Sequence, residues 1–235
     1  MKKIVASLVS VAAFCAFAEL PQPYGYWKMD EMTVERKIPD VSGNGLEMTV
    51  GEGVSLVEDE RFGKVARWEG VGGSWGKFSN PALSNRTISI WFKRDASDAD
   101  FDTADNNKIP YLFANWSNSY VNFSKNTPGF NAYLGGNSYY TIAAPSRSVW
   151  HQLVIAVGDA RWYDEAKTNF VATLSVYLDG VQTKKYENIV TPKSILYKSD
   201  FVLGNHVTDS NHSTPRPFKG EFAEIRVWDV TLSEN

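Results

Sequence analysis

No stretch of this chain sustains an apolar period of 3.6 residues. Short runs that alternate apolar and polar residues, or are wholly apolar, lie instead between turn-forming residues. That pattern fits antiparallel sheets and argues against a helical bundle. The predicted strands are Gly25 to Met29, Leu46 to Val50, Val65 to Glu69, Trp75 to Phe78, Thr87 to Lys93, Tyr111 to Asn115, Tyr120 to Phe123, Phe130 to Leu134, Tyr139 to Ala143, His151 to Val157, Ala172 to Leu178, Val181 to Glu187, Asp200 to Leu203 and Glu221 to Trp228. In Thr87 to Lys93, Ile88, Ile90 and Phe92 share one face, while Ser89, Trp91 and Lys93 share the other. Leu174, Val176 and Leu178 repeat the pattern before Asp179-Gly180, a dipeptide suited to the type I′ turn of a hairpin. In the last strand, strict alternation puts Ala223, Ile225 and Val227 on one face and Phe222, Glu224, Arg226 and Trp228 on the other.

The N-terminus sets the compartment. Lys2 and Lys3 precede an apolar run from Ile4 to Phe14, and Ala16-Phe17-Ala18 supplies small residues for cleavage before Glu19. Residues 1–18 therefore read as a secretory signal and 19–235 as one domain, which 43% hydrophobic content can supply with a core. The apolar run is too short to span a bilayer, and Phe14 beside Cys15 argues against lipid attachment. The expected location is extracellular or periplasmic. Cleavage takes the only cysteine, so no disulfide can staple the mature fold. It also moves the formal charge from −3 to −5, because Lys2 and Lys3 are lost. An acidic surface without a basic cluster attracts neither nucleic acid nor anionic membrane. The loop-like stretches Asp95 to Asn107 and His206 to Pro217 join strands and mark no domain boundary.

Three signatures recur in order: Tyr26-Trp27-Lys28-Met29-Asp30 with Asp40-Val41-Ser42-Gly43-Asn44-Gly45, then Trp150-His151-Gln152-Leu153-Val154, then Phe218 to Trp228. Together with Leu178-Asp179-Gly180, they resemble the concanavalin A-like jelly-roll superfamily, in particular the laminin G-like domains of bacterial secreted proteins. The likeness runs from Tyr24 to Glu234. It implies an all-β, two-sheet antiparallel jelly-roll sandwich with the first and last strands adjacent. It also implies carbohydrate-binding or adhesive roles, in some members with calcium in the loops. One departure is that Ala223 and Glu224 stand where the closing strand often carries an acidic pair.

The chemistry of individual residues points to binding. A glycosidase needs two carboxylates about 5 to 10 Å apart on one side of the scissile bond. Glu221 and Glu224, at i and i+3, should leave opposite faces of a regular strand. No Gly-x-Ser-x-Gly elbow occurs, and the mature chain lacks a thiol. His151, His206 and His212 form no transition-metal motif, and His151 belongs to a strand where packing or hydrogen bonding is its expected role. For a hard cation such as calcium, Asp30, Asp40 and Asn44 near the first strand, joined by Glu224, form one candidate set. Its rival is a hydrogen-bonded turn capped by Asp40. Asp98, Asp100 and Asp102 alternate, but Thr103 and Ile109 stand where a calcium loop needs Gly and Glu, so a solvated loop is the simpler reading. The richest binding segment is Asn106 to Tyr140. It interleaves aromatic faces with asparagine amides, a combination suited to the C–H faces and hydroxyls of sugars. Its candidate contacts are Tyr111, Trp116, Asn118, Tyr120, Tyr139 and Tyr140.

The sequence thus predicts an exported, non-catalytic module that binds glycan or another extracellular polymer. The first rival is an adhesive or structural domain with surface-protein partners. The second is a glycoside hydrolase on the same fold.

Overall fold

The computed structural model describes residues 20–80, 86–96, 110–115, 119–123, 129–134, 139–143, 145–192, 199–206 and 216–232. The predicted signal, the Asp98–Asp100–Asp102 triplet, Trp116 and Asn118 lie outside them. Among the described residues there is no helix. The strands are β1 (Gly25–Trp27), β2 (Lys37–Ile38), β3 (Met48–Val50), β4 (Val54–Asp59), β5 (Gly63–Glu69), β6 (Gly76–Asn80), β7 (Arg86–Arg94), β8 (Tyr111–Asn115), β9 (Ser119–Phe123), β10 (Gly129–Leu134), β11 (Tyr139–Ala143), β12 (Trp150–Trp162), β13 (Asn169–Leu178), β14 (Val181–Pro192), β15 (Ser199–Leu203) and β16 (Lys219–Trp228). Every predicted strand is present. The two additions are β2, of only two residues, and β4, whose half-buried residues give weak alternation.

Two antiparallel sheets result. One runs β14-β13-β12-β7-β16-β5-β4, with β1 also on β16; the other runs β11-β10-β9-β8-β15-β6-β3-β2. This is the jelly-roll sandwich that the sequence implied, with β1 beside β16. Apolar residues of the two inner faces make one core, including Trp27, Trp68, Ile90, Phe92, Val176 and Phe222 from the first sheet and Met48, Phe78, Phe113 and Phe201 from the second. Rings join the sheets directly: Trp27 packs 4.1 Å from Phe78, which lies 4.7 Å from Phe201, which stacks 5.1 Å from Phe113. Each fully buried large side chain contributes about 1.5–3 kcal/mol. The buried indole N–H of Trp27 donates to the Leu46 carbonyl at 2.7 Å, so its polar atom is satisfied.

Predicted faces hold where strands are regular. Ile88, Ile90 and Phe92 point into the core, as do Leu174 and Val176. The Asp179-Gly180 turn has φ of 52° and 78°, as a type I′ turn requires. The last strand departs from strict alternation. Its register against β7 shifts between Ala223 and Arg226, and Glu224 adopts φ 43°. The extra residue reverses the faces, so Phe222 joins Ile225 and Val227 in the core instead of opposing them. At the same point β16 changes partner, from β5 at Lys219 to Phe222 to β1 at Ile225 to Val227. The bulge lets one strand serve two neighbours on one edge.

Candidate functional site

Asp40 closes the turn after β2. Its Oδ1 accepts from the backbone N–H groups of Tyr26 (2.9 Å) and Ser42 (3.0 Å), and its Oδ2 accepts from Ser42 Oγ (2.8 Å) and the Leu46 N–H (3.0 Å). Burial pushes its pKa up, but these four donors outweigh that and hold it below the ordinary carboxylate value. Asn44 Nδ2 donates to the Tyr24 carbonyl at 2.9 Å. Glu224 takes the Tyr26 hydroxyl at 3.3 Å and Arg226 at 3.0 Å, and Asp30 is exposed. Of the predicted metal set, Asp40 and Asn44 thus share a turn whose oxygens and amides serve backbone partners. Among the described residues, no group of three or more His, Cys, Asp or Glu side chains is arranged to hold a metal.

Of the predicted binding residues, Tyr111 is buried. Its ring stacks 5.1 Å from His206, lies 5.5 Å from the Arg216 guanidinium, and its hydroxyl accepts from Arg216 at 3.1 Å. Backbone register aligns Tyr120, Tyr133 and Tyr139 in one cross-strand row of β9, β10 and β11, with Tyr140 opposite Ala132.

Sequence reasoning passed over the outer face of the first sheet. At one end the tip of the β4–β5 hairpin curls over β16 and β7. Asp59 Oδ2 there receives Lys93 Nζ (2.8 Å) and Trp150 Nε1 (2.9 Å), and its Oδ1 receives the backbone N–H groups of Arg61 (2.9 Å) and Phe62 (3.2 Å). Phe62 packs edge-on to Trp150 at 4.8 Å, and the Arg61 guanidinium lies 4.1 Å over Trp91. Burial raises the Asp59 pKa, yet the four donors prevail and lower it to about 2. Glu221, beside it, pairs with Lys93 at 2.5 Å and Arg67 at 3.1 Å. Asp59 and Glu221 therefore converge on one ammonium. Asp59 is fully ionised at neutral pH, the opposite of what a general acid needs.

At the other end of this face lies a trough of about 380 Å³, lined by Ala156, Gly158, Asp159, Thr173, Ser175, Tyr177, Gln182, Lys185, Thr231 and Leu232. Two cross-strand rows make its floor: Ala156–Ser175–Lys185, and Gly158–Thr173. A third row ends in Tyr177–Gln182, where Gln182 Nε2 donates to the Tyr177 hydroxyl at 3.0 Å. The chain beyond β16 forms the opposite wall: Thr231 Oγ1 donates to the Val157 carbonyl at 2.8 Å, and the Leu232 N–H donates to Thr87 Oγ1 at 2.9 Å. Gly158 allows that approach, since a Cβ there would meet Thr231 at 2.9 Å. Asp159 reaches the trough because the β12 register shifts between Gly158 and Arg161. With φ 55°, its carboxylate accepts the Thr173 hydroxyl at 2.9 Å.

A third arrangement sits where β12 begins. His151 Nδ1 is 2.7 Å from Asp179 Oδ2, and its Nε2 is 2.9 Å from Ser146 Oγ. The second oxygen of Asp179 accepts the Gln152 N–H at 2.9 Å. The type I′ turn thereby orients the imidazole, and His151 is hydrogen-bonded through both ring nitrogens.

With these features in place, the family can be assigned. A laminin G-type domain model described as concanavalin A-like lectin/glucanases superfamily matches residues 72–235. The chain belongs to that superfamily. A search of curated proteins returns no match. Solved structures share the fold at low identity. Trypanosoma rangeli sialidase in complex with sialic acid is 12% identical with a TM-score of 0.64, covering 92% of this chain and 32% of the sialidase. Domain 4 of the extracellular arabinanase AbnA from Geobacillus stearothermophilus, in complex with arabinotriose, is 18% identical with a TM-score of 0.59, covering 91% of this chain and 95% of that domain. The receptor binding domain of botulinum neurotoxin type G is 12% identical with a TM-score of 0.57, covering 91% and 49%. This superfamily chain thus spans about a third of the sialidase but nearly all of the arabinanase domain. No helix among its described residues is long and apolar enough to cross a membrane.

Proposed function

We propose that the mature chain is an exported, non-catalytic carbohydrate-binding module whose saccharide lies in the trough on the outer face of the first sheet. The observation that carries this is the trough's composition. Hydroxyls of Ser175, Thr173, Thr231 and Tyr177 and the Gln182 amide surround a floor of small residues, with a tyrosine ring as one wall. Sugars offer hydroxyls that both donate and accept, and C–H faces that pack on aromatic rings and small side chains. Its volume falls within the range of small-molecule sites. The size match to an arabinanase domain solved with arabinotriose supports a module of this kind. A glycan array probed with the mature protein, once in calcium and once in chelator, tests the reading. Retention of a glycan class supports it; uniformly empty arrays under both conditions overturn it.

The Ser146–His151–Asp179 chain favours a second reading, a serine hydrolase, because its hydrogen-bond order is that of a nucleophilic serine. A fluorophosphonate probe decides between them. Ser146 should label no faster than Ser148, an exposed neighbour, whereas selective labelling of Ser146 with turnover of an activated ester would refute a purely binding role.

A further inference from the structure

Ser175 is 9% exposed and lies on the trough floor, yet among the described residues its hydroxyl has no hydrogen-bond partner. With no protein partner, this hydroxyl opens onto the trough, where a ligand or water completes it. Its surroundings say what kind of ligand. Ala156 lies directly across from it on the floor, where its methyl group keeps the surface low. The Thr173 proton is committed to Asp159, so the Thr173 oxygen faces the trough as an acceptor. The charges there are the Asp159 carboxylate and the Lys185 ammonium, and the ammonium pairs with Glu187 at 2.8 Å. An anionic group seated at the Thr173 oxygen would face the Asp159 carboxylate bonded to that same hydroxyl.

We infer that the trough selects a neutral saccharide, with Ser175 as its central hydrogen-bonding hook, Thr173 as an acceptor and Asp159 as the group that turns acidic sugars away. This rests on the carbohydrate reading above and specifies which sugars that site admits. The strand direction gives the scale. From the Tyr177 row to the Thr173 row the floor runs four residues, or about 13 Å at the rise of a β-strand, the length of a short oligosaccharide.

The test uses mature protein with arabinotriose, xylotriose, cellotriose and maltotriose as neutral probes, and trigalacturonic acid and 3′-sialyllactose as acidic ones. Titration calorimetry is paired with hydroxyl-radical footprinting of Tyr177. At least one neutral probe should bind and protect Tyr177. Ser175→Ala should weaken that binding about five- to tenfold, the effect of one lost hydrogen bond, at an unchanged melting temperature. Asp159→Asn, which keeps an acceptor for Thr173, should improve binding of the acidic probes relative to the neutral ones. Binding that leaves Tyr177 unprotected and ignores Ser175→Ala overturns this inference alone, as does a preference of the unaltered protein for acidic probes. Failure of every probe here, together with empty arrays, removes the carbohydrate reading itself.

Discussion

Replacing Asp59 with Asn changes one atom's chemistry and little volume, yet it should loosen the hairpin tip from the sheet it covers. In the native protein both carboxylate oxygens are saturated by four donors from three places: Lys93 on β7, Trp150 on β12, and the Arg61 and Phe62 amides of the tip. An asparagine amide would turn its NH₂ toward two of those donors. The side chain is only 7% exposed, so water cannot make good the loss. The depression of the carboxyl from 3.8 to about 2 measures how strongly the folded state prefers the ionised form. At 1.36 kcal/mol per pH unit, this amounts to about 2 kcal/mol. Because the folded pKa lies below the unfolded one, that stabilisation is complete above about pH 4. It fades as pH falls from 3.8 toward 2, to under half by pH 2.5. Urea denaturation followed by tryptophan fluorescence should therefore show Asp59→Asn less stable by about 2 kcal/mol at pH 7, with the gap closing below pH 4. A difference under about 0.5 kcal/mol at pH 7, or a gap undiminished at pH 2.5, would refute the assignment.

Three further expectations follow from the same geometry. Asp40→Ala strands four donors at a partly buried turn and should cost about 2–3 kcal/mol in chemical denaturation; because that carboxylate is fully engaged, native protein should melt at the same temperature in calcium and in chelator, and a calcium-dependent rise would contradict this. Gly158→Val places a Cβ 2.9 Å from Thr231, so it should displace the chain end, fill the trough and abolish saccharide binding, and calorimetry showing native affinity would count against the site. Ile225→Asp buries an unpaired charge at a position with no exposure and should lower stability by about 4 kcal/mol or more, which a scanning calorimeter would register as a large fall in melting temperature.

Much of the architecture was readable because a sheet's signal is local. The period-2 alternation of Ile88, Ile90 and Phe92 identifies a core face without reference to any partner strand, and Asp179-Gly180 specifies its hairpin through backbone dihedrals alone. The motifs flanking these strands were enough to suggest the superfamily. The same reasoning misjudged Phe222 because a bulge arises from pairing, and Glu224 becomes the extra residue only when β5 and β1 share one edge of β16. The candidate site was harder still to see. Asp40 was recognised both as a candidate ligand and as a turn cap, and the four donors gathered on its oxygens come into view only in the folded chain. The Asn106–Tyr140 segment drew attention by its aromatic density, a local property that does not report burial; Tyr111 proved to be packed against His206 and Arg216.

By itself the sequence determined that this chain makes sheets, where most of its strands lie and which residues of a regular strand face inward, because side-chain alternation is written into neighbouring positions. Tertiary structure decided that Ser175, Thr173, Asp159 and Tyr177 meet Thr231 around one trough. Strand partners, bulges and the path of the chain end depend on contacts between residues far apart in the chain, which no local period encodes.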